Sequence, residues 1–373
     1  MTSVPPLGVV LAGTGFGLKV HLPALQAHPR THVVALYHRD LGKAETLARQ
    51  HGIPYAGDTL EDLLELPGVD ALSVATPPFL HAPMARLALT AGKHLILEKP
   101  VGLDVIEAQA LYHLAQATQR VALVNFEFRA LPAWQRLQEL LADEWAGRKR
   151  LVVVNWTVTS RADPRRPWNW YSQAAKGGGA LGSLAVHTFD YIHWLFGPMA
   201  AVMGRLETAI ATRPDPVSQT PRPVDADDTC LLTLRLADGT PCQVTISAVT
   251  HHGRGHWIEV YGEQGTLVLG SDNLQDYGHG FRLWAGRPGA SLAEVTIPDR
   301  LALSEVYPDG RLAPVLRLVD RWVSTIDYGR PLVPSLREGV YAQGVMDCAR
   351  ASHARGNWVP VPELGTLLGE QPL

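Results

Sequence analysis

The sequence predicts an α/β protein of two domains, a doubly wound parallel sheet over residues 1–124 and an α+β domain with a large mixed or antiparallel sheet over residues 125–373. Three observations support this prediction. In the first part, short apolar runs alternate with helical segments, as in a parallel sheet that is covered on both faces. In the second part, strands with alternating polarity follow one another without helices between them. The length of 373 residues suits two domains.

The first domain contains four apolar runs that we predict to be strands. They are LGVVLA at 7–12, HVVALYH at 32–38, ALSVATPP at 71–78 and LILEKP at 95–100, with VALV at 121–124 as a further run before the pattern changes. Helix signals lie between them: an acidic or hydroxyl N-cap, Asp58 or Thr59, with Glu61 following; a capping box at 104–107; and a glycine at position 92 suited to a helix C-terminus. In such a sheet, ligands bind at the carboxyl ends of the strands.

A glycine-rich loop, GTGFGL, follows the first strand and opens a helix. Gly13 and Gly15 match the first two positions of the dinucleotide-binding pattern, whereas Leu18 occupies the third and Gly17 comes one residue early. From this context we predict a Rossmann dinucleotide-binding domain in which Gly13 allows the tight turn and Gly15 lets the pyrophosphate approach the backbone at the helix N-terminus. The predicted cofactor-binding residues of the loop are Gly13, Gly15, Phe16 and Gly17. The alternative is a tight strand-to-helix turn without a ligand.

The end of the second strand indicates which nicotinamide cofactor binds. An acidic residue is expected there when the ribose 2′-hydroxyl is free, but His38 stands in that place and Arg39 follows. A guanidinium suits a 2′-phosphate or stacks on adenine. The pattern therefore favours NADP(H), with NAD(H) as the alternative because Asp40 can also reach a ribose. Arg39 can equally be a solvated side chain.

The carboxyl ends of the third and fourth strands supply the remaining predicted cofactor contacts. These are Thr76, Pro77, His81, Glu98 and Lys99. Pro100 disfavours the helical conformation for Lys99 and permits a cis bond, so the backbone holds the lysine at a fixed point. We expect the nicotinamide near Pro77, Glu98 and Lys99. Side chains alternate along a strand, so Glu98 is expected to face away from Lys99.

The second domain is predicted to contain five strands of period two and two late helices. The strands are LVVVNWTVTS, CLLTLRL, CQVTISAV, HWIEVYG and TLVLG, with turns at Gly239 and between Gly262 and Gly265. The proline-rich segment RPDPVSQTPRP at 213–223 is predicted to be an exposed loop. The helices, LAPVLRLVDRWVSTID and SLREGVYAQGVMDCARASH, are expected to cover a sheet face.

A helix preceded by three consecutive glycines carries the other candidate catalytic residues. His187, Asp190 and Tyr191 are spaced by three and four residues, which places them on one helix face. His187 and Lys99 would make an acid–base pair able to move a hydroxyl proton. The alternative for His187 is a hydrogen-bonded histidine of the core.

Seven segments together resemble the glucose–fructose oxidoreductase/inositol dehydrogenase (Gfo/Idh/MocA) family. They are GTGFGLKVH, VATPPFLH, AGKHLILEKP, NFEFR, the GGGAL stretch with its H-x-x-D, VYGEQGTL and VMDCARASHARGNWV. The resemblance implies NAD(P)-dependent hydride transfer on sugars, cyclitols or related hydroxy and keto compounds. It also implies a homodimer or homotetramer, built on the open sheet. Lys99 matches the family's catalytic lysine and His187 its catalytic histidine.

One departure from the family pattern concerns the residue four positions before His187. Many family members have aspartate there, and this chain has Ser183. A carboxylate one turn away would favour the charged histidine, whereas serine supplies no charge. Asp190 is a candidate to compensate by orienting the histidine or the substrate. The predicted substrate contacts are Asn125, Arg129, Trp168, Tyr171 and Ser183, and the neighbouring pair Arg165 and Arg166 either engages an acidic group or is solvated.

Two other functions remain open: glycoside cleavage with bound NAD on the same fold, and cofactor binding without catalysis, which Ser183 favours. The formal net charge of −3 gives no reason to expect nucleic acid. No signal peptide or membrane span is apparent, and the three cysteines form no C-x-x-C motif, so we expect a cytoplasmic protein. We predict no metal, because His251, His252 and His256 have no acid or cysteine at a suitable spacing.

Overall fold

A computed structural model describes residues 4–273 and 280–370. The chain divides into two compact units. The first unit comprises the described residues of Met1–Glu127 together with Arg311–Val340, and the second those of Phe128–Gly310 together with Tyr341–Leu373. The chain therefore leaves the first unit, builds most of the second, and returns to the first before it ends in the second.

The first unit contains a six-stranded sheet in the order β3-β2-β1-β4-β5-β6. All its strand pairs are parallel, which confirms the predicted doubly wound sheet. The central strands are buried along their length because helices cover both faces. The strands are β1 Leu7–Ala12, β2 Thr31–Tyr37, β3 Tyr55–Gly57, β4 Val69–Val74, β5 His94–Leu97 and β6 Ala122–Val124.

Five helices connect these strands: α1 Leu22–Ala27, α2 Leu41–Gln50, α3 Leu60–Leu64, α4 His81–Thr90 and α5 Val105–Thr118. The predicted N-cap of α5 is confirmed, since the Asp104 carboxylate accepts the Glu107 N–H at 2.9 Å. Gly92 follows the end of α4 with φ +69°, as predicted. Of the two N-cap residues predicted for α3, the hydroxyl residue Thr59 is confirmed, but the capping box is not. Thr59 is the N-cap of α3 without a side-chain bond, and the third helical position is therefore Asp62 rather than Glu61.

A helix from late in the chain completes the first unit. This helix, α8 Leu312–Tyr328, packs against α1 and lies beside β6. Its buried residues recur every three or four positions, which is typical of an amphipathic helix. The Trp322 indole is fully buried and donates to the Val121 carbonyl oxygen at 3.3 Å. Arg30 and Asp327 add a bidentate ion pair, with distances of 3.0 and 2.7 Å.

The second unit is built on a nine-stranded sheet in the order β16-β15-β14-β13-β7-β12-β11-β8-β17. The β7–β12 pair is parallel and the other pairs are antiparallel, so the predicted mixed sheet is confirmed. The strands are β7 Lys149–Thr157, β8 Met199–Glu207, β11 Thr229–Leu236, β12 Pro241–Ser247, β13 Gly255–Gly262, β14 Thr266–Ser271, β15 Arg282–Gly286, β16 Ala293–Glu294 and β17 Val359–Pro360. Four helices contribute: α6 Pro132–Ala142, α7 Val186–Phe196, α9 Leu336–Arg355, which begins in the first unit, and α10 Leu364–Leu367.

The two faces of this sheet differ in their environment. Along β11, buried and exposed residues alternate, with the apolar Cys230, Leu232 and Leu234 on the buried face. The opposite face carries exposed apolar side chains on three strands. They are Met203 on β8, Leu231 on β11 and Tyr261 on β13. One face therefore belongs to the core, and the other leaves large apolar side chains exposed.

The segment 213–223, predicted to be an exposed loop, forms a short antiparallel ribbon instead. Its strands are β9 Thr212–Pro214 and β10 Pro221–Pro223. The turn between them is closed by Asp215, whose carboxylate accepts the N–H groups of Val217 and Ser218 at 2.9 and 3.1 Å. Hydrogen bonds from one side chain to nearby backbone groups thus order a segment whose composition indicates a loop.

No helix among residues 4–273 and 280–370 is long and apolar enough to cross a membrane. The three cysteines are free thiols: Cys230 and Cys242 are buried, and Cys348 is half-buried. Burial raises the pKa of the Cys242 thiol to about 12, so this side chain behaves as a small apolar residue.

Candidate functional site

The glycine loop has the geometry that a bound phosphate requires. Gly13 has φ +127°, and a Cβ there would lie 2.3 Å from the Ala75 carbonyl oxygen, so only glycine fits. A Cβ on Gly15 would meet no protein atom within 4 Å, so the backbone at this position faces open space. Gly17 begins one π-helical turn, Gly17–His21, which leads into α1. The loop thus turns tightly on one side and leaves room for a ligand on the other.

The end of β2 presents basic rather than acidic side chains. The Asp40 carboxylate accepts the Lys43 N–H at 3.0 Å and so caps α2. The Asp40 N–H donates to His38 Nδ1, also at 3.0 Å. Arg39 and Lys43 are exposed beside this turn. The carboxylate that the sequence offered as a ribose acceptor is therefore engaged at the helix start.

Glu98, at the end of β5, is the centre of a buried hydrogen-bond network. Its Oε1 accepts the Asn125 side-chain amide and lies 3.0 Å from His21 Nε2. His21 Nδ1 in turn lies 2.8 Å from Ser73 Oγ. Burial alone would raise the pKa of Glu98, but the His21 hydrogen bond and the charge of Lys99 hold it below its ordinary value. Glu98 is therefore a buried carboxylate that stays ionised.

His21 is a site residue that the sequence reasoning missed. It ends the π turn of the glycine loop and is almost completely buried. Through its ring, the loop that faces the phosphates is joined to the carboxylate at the end of β5. A histidine four residues after the last glycine was the available signal, but nothing local showed its partner.

His81 connects the two loops that follow β4 and β5. Its Nδ1 lies 2.6 Å from the Pro100 carbonyl oxygen and its Nε2 lies 2.8 Å from that of Thr76. Burial lowers the pKa of His81, although hydrogen bonding with the two carbonyl groups acts in the opposite direction. The Lys99–Pro100 bond is cis. A neutral imidazole has one N–H, so His81 donates to one of these carbonyl oxygens and lies against the other, between the Thr76–Pro77 and Lys99–Pro100 segments.

Lys99 is half-buried and lies among carboxylates. Glu127, which follows β6, is a second missed residue and is only 5% exposed. Burial raises the pKa of Glu127 to about 7; the positive charge of Lys99 opposes this shift and the negative charge of Glu98 adds to it. A pKa near neutrality is what acid–base chemistry at physiological pH requires.

Stability should depend on pH through Glu127. Between its ordinary pKa of 4.5 and about 7, the folded protein keeps the Glu127 proton that the unfolded chain has lost. The contribution of Glu127 to stability is therefore lost as pH rises through this interval. As pH rises from 4.5 to about 7, we expect the melting temperature of Glu127→Gln to rise relative to that of the wild type. Above this interval, the difference between the two melting temperatures should stay constant. Thermal melting from acid to neutral pH tests this, with Glu45→Gln on the exposed surface of α2 as the control; parallel curves for Glu127→Gln and wild type would contradict it.

The glycine run of the second unit positions the start of α7. A Cβ on Gly178 would lie 2.4 Å from the Tyr171 carbonyl oxygen, and Gly179 has φ +96°. A π-helical turn, Leu181–Ala185, follows and leads into α7, with the Leu181 N–H bound to the Asp227 carboxylate at 2.8 Å. π turns of this kind often occur at functional sites.

His187 lies on α7 and is only 4% exposed. Its ring stands edge-on to Phe128, with centroids 5.1 Å apart, and lies beside Trp156. The same cluster contains His256, which stacks on Trp156 at 4.1 Å and whose pKa is lowered to about 3 by burial. His256 is therefore a neutral core residue.

The three histidines considered as metal ligands have different environments. His256 is buried in the aromatic cluster, whereas His251 and His252 are exposed. Within the part of the chain that the structure describes, no group of three or more histidine, cysteine, aspartate or glutamate side chains is arranged to hold a metal ion.

Asp190 and Arg129, predicted to act in catalysis and substrate binding, bind each other. The Arg129 Nε and Nη2 atoms contact the two Asp190 oxygens at 2.7 to 3.1 Å, and both residues are almost completely buried. The guanidinium also lies 5.5 Å from the Trp194 ring. The pair is a bidentate ion pair that neutralises two buried charges.

Ser183, in the π turn before His187, anchors an aromatic side chain. Its hydroxyl donates to the Gly179 carbonyl oxygen at 2.7 Å. A serine has one hydroxyl proton, so the 3.0 Å contact with Tyr171 is donated by the tyrosine. Burial raises the pKa of the Tyr171 hydroxyl to about 12, so it stays protonated as this donor. The position holds a neutral pair of hydroxyl groups where the family pattern has a charge.

Trp168, another predicted substrate residue, lies with Arg165 and Arg166 in the segment between β7 and α7. Trp168 donates its indole N–H to the Pro223 carbonyl oxygen at 2.9 Å, and Arg222 lies 3.5 Å from the centroid of its ring. Arg165 is exposed and pairs with Asp163 at 3.0 Å. Arg166 donates to the Ser160 carbonyl oxygen.

Two observations in the first unit fit a nicotinamide dinucleotide. The Asn125 side-chain oxygen is buried and has no hydrogen-bond partner among the described residues, although its amide nitrogen binds Glu98. A carboxamide N–H would satisfy this oxygen, and a buried unsatisfied oxygen is otherwise costly. The open backbone at Gly15 is the second observation.

Two family models match the chain. Residues 7–126 match the model described as "Oxidoreductase family, NAD-binding Rossmann fold". Residues 146–361 match "Oxidoreductase family, C-terminal alpha/beta domain". The matches cover both units and correspond to the sheets described above.

Similar proteins extend over nearly the whole chain. An uncharacterized oxidoreductase of Synechocystis sp. is 52% identical over 371 residues, which is 99% of this chain and 100% of that protein. Levoglucosan dehydrogenase of Pseudarthrobacter phenanthrenivorans is 29% identical, with 96% of this chain and 99% of the relative covered. A solved structure of levoglucosan dehydrogenase with NADH and levoglucosan has a TM-score of 0.85 and 26% identity, and covers 96% of this chain and 99% of that one.

Proposed function

The chain belongs to the Gfo/Idh/MocA family of oxidoreductases, and from that premise we propose that it transfers a hydride between a nicotinamide cofactor and the CH–OH carbon of a sugar, cyclitol or related hydroxy or keto compound. The observation that best supports this proposal is the cluster of Lys99, Glu98 and Glu127 at the carboxyl ends of β5 and β6. The cluster combines an ammonium group, an ionised carboxylate and a carboxylate that titrates near neutrality.

The residues of the chain have separate roles in this proposal. The nicotinamide supplies or accepts the hydride. The Lys99 ammonium donates a hydrogen bond to the substrate oxygen and exchanges a proton with it. The Glu98 carboxylate, held by His21 and Asn125, keeps a negative charge beside the lysine. His187 is the second acid–base group, and Asp190 acts by holding Arg129 rather than by contacting substrate.

The test is a panel of sugars and cyclitols offered with NAD⁺ or NADP⁺, in which the reduced nicotinamide is followed by its absorbance. Stoichiometric accumulation of reduced cofactor supports a dehydrogenase. Cleavage of a glycoside without accumulation of reduced cofactor would indicate the related glycoside-cleaving chemistry. Cofactor binding without turnover of any compound would favour the non-catalytic role for which the uncharged Ser183–Tyr171 pair is the best structural reason.

We expect NADPH to bind more tightly than NADH. Arg39 is exposed at the end of β2, and the nearby Asp40 carboxylate is engaged in capping α2. A guanidinium contacts a 2′-phosphate by charge-assisted hydrogen bonds, so Arg39→Ala should reduce the difference in affinity. Fluorescence titration of both cofactors measures it, with Arg49→Ala, on the last turn of α2, as the control. Equal affinities in the wild type, unchanged by Arg39→Ala, would contradict the preference.

We also propose that the protein assembles as a homodimer or homotetramer through the exposed face of the nine-stranded sheet. Met203, Leu231 and Tyr261 expose apolar surface on that face, which association would bury. Light scattering measures the mass in solution, and a monomer at micromolar concentration contradicts the proposal. A cytoplasmic location stays a prediction from the cysteine pattern.

A further inference from the structure

Arg161 carries a positive charge in an unusual environment in the second unit. It lies four residues after the end of β7 and is half-buried. Its guanidinium carbon lies 3.9 Å from the centroid of the Tyr171 ring. The hydroxyl of that tyrosine is bound to Ser183, one turn before His187 on the same helical segment. A continuous set of contacts therefore leads from Arg161 to the segment that carries the candidate catalytic histidine.

Two neighbouring arginines, Arg166 and Arg213, act on the charge of Arg161. Burial is the largest cause that lowers the pKa of its guanidinium, the contact with Tyr171 opposes this, and the charges of Arg166 and Arg213 lower the pKa further. Over the described residues, Arg161 makes no ion pair with a carboxylate. A guanidinium stays protonated in proteins, so the local excess of positive charge is not removed by titration.

The neighbouring arginines have carbonyl or carboxylate acceptors, whereas Arg161 has the Tyr171 side chain, which it contacts through the ring and through a hydrogen bond. The Arg213 guanidinium donates to the carbonyl oxygens of Asp163 and Arg161 at 2.8 and 2.7 Å. Arg166 donates to the Ser160 carbonyl oxygen. Arg165 is exposed and paired with Asp163. Among these four arginines, Arg161 is partly buried and has no carboxylate or carbonyl oxygen as an acceptor among the described residues.

Two features of this environment select for an anion. A partly desolvated cation beside two like charges is unfavourable unless an anion joins it, and stacking on an aromatic ring offsets only part of that cost. Stacking uses the face of the guanidinium and leaves N–H groups at its edges, which match the oxygens of a carboxylate or a phosphate. Ser183 adds no negative charge that would compete with such a ligand.

We propose that Arg161 binds the acidic group of the substrate, so that the enzyme acts on an anionic sugar derivative, a sugar acid or a sugar phosphate, rather than on a neutral sugar. This inference rests on the proposed function, because it takes the anion to be part of the substrate. The binding of the anion itself does not require turnover. Tyr171 positions the guanidinium, and Ser183 fixes Tyr171. The serine that replaces the family's aspartate would thus hold Tyr171 in position against Arg161.

The experiment measures ligand binding to the full-length protein saturated with reduced cofactor, so that no reaction follows. The probes for calorimetric titration are D-gluconate, D-glucuronate, D-glucose 6-phosphate and neutral D-glucose. We expect at least one anion to bind tenfold or more tightly than D-glucose, and its affinity to fall as salt increases. The acid and phosphate probes distinguish the two sources of negative charge. Equal affinities for neutral and anionic probes would overturn the proposal.

The variants locate the binding to Arg161. Arg161→Gln should weaken the anion by tenfold to a hundredfold and leave D-glucose unchanged. Arg165→Gln, in the same loop but exposed, is the matched control and should bind as the wild type does. If Arg161→Gln does not fold, Ser183→Asp decides, because it places a carboxylate beside the Tyr171 hydroxyl: weaker anion binding supports the proposal, and unchanged binding overturns it.

Failure of this proposal and failure of the proposed function give different results. If the protein oxidises neutral sugars at normal rates but binds no anion, the anion site is ruled out and the dehydrogenase function is supported. If the protein binds anions through Arg161 but never reduces its cofactor, the anion site is supported and the dehydrogenase function is ruled out.

Discussion

Replacement of Lys99 by alanine is expected to lower turnover by roughly a hundredfold or more, the scale for losing a positioned acid–base group. Lys99 is half-buried at the end of β5, and its charge acts on both Glu98 and Glu127. Removing the ammonium would take away the positive charge that acts on both carboxylates and leave the substrate oxygen without a proton donor. The fold should survive, since the core strands are apolar and do not depend on this side chain.

The measurement is steady-state turnover beside thermal melting and cofactor titration. Lys99→Met keeps the aliphatic stem and should fail catalytically in the same way. Lys93→Ala is the matched control, because Lys93 stands just before the amino end of the same strand and donates to the Val69 carbonyl oxygen. Normal turnover by Lys99→Ala, or its simple unfolding, would remove the catalytic role.

Asp190→Asn should destabilise the protein by about 3–5 kcal/mol, the range for breaking a buried ion pair. Asp190 holds Arg129 through three contacts, and neither residue reaches solvent. The asparagine would leave the Arg129 charge buried without its counterion. This expectation is structural: kcat of the folded fraction should change much less than the free energy of unfolding.

A double-mutant cycle in denaturant separates the two roles. Arg129→Met alone should cost about as much as Asp190→Asn, and the pair Arg129→Met with Asp190→Leu should recover most of the loss, since no charge is then left buried. Glu294→Gln, which breaks the exposed ion pair with Arg282, is the control and should cost less than about 1 kcal/mol. A stable Asp190→Asn protein with greatly reduced turnover would instead support the catalytic role predicted for Asp190.

The parallel sheet of the first unit could be predicted because its signals are local. Apolar β-branched runs mark β1, β2 and β4, and the Asp104 cap and Gly92 act within one turn of their helices. The mixed sheet was predictable for the same reason, since alternation along each strand shows that one face is buried. Neighbouring strands follow from short turns, but the full order of nine strands does not.

Contacts between distant residues were not predictable in the same way. Amphipathic spacing shows that α8 buries one face, but not that this face meets α1 in the first unit. His21 and Glu98 are 77 residues apart and Arg129 and Asp190 are 61 apart, so neither partner is visible in the local pattern. The raised pKa of Glu127 comes from burial and from the charges of Lys99 and Glu98, which only the folded chain brings together.

The return of the chain to its first unit has a consequence for the order of events on the ribosome. Residues up to Glu127 leave the ribosome long before α8. More than half of the residues that follow Glu127 are made before α8 begins. Until then, the surface of α1 and β6 that Trp322 and its neighbours cover is exposed, and the nascent sheet is an incomplete folding unit. A fragment that ends at Glu127 would keep that surface exposed and be prone to aggregation, whereas a soluble cofactor-binding fragment must be spliced to Arg311–Val340. Synthesis from N- to C-terminus therefore finishes the two units nearly together.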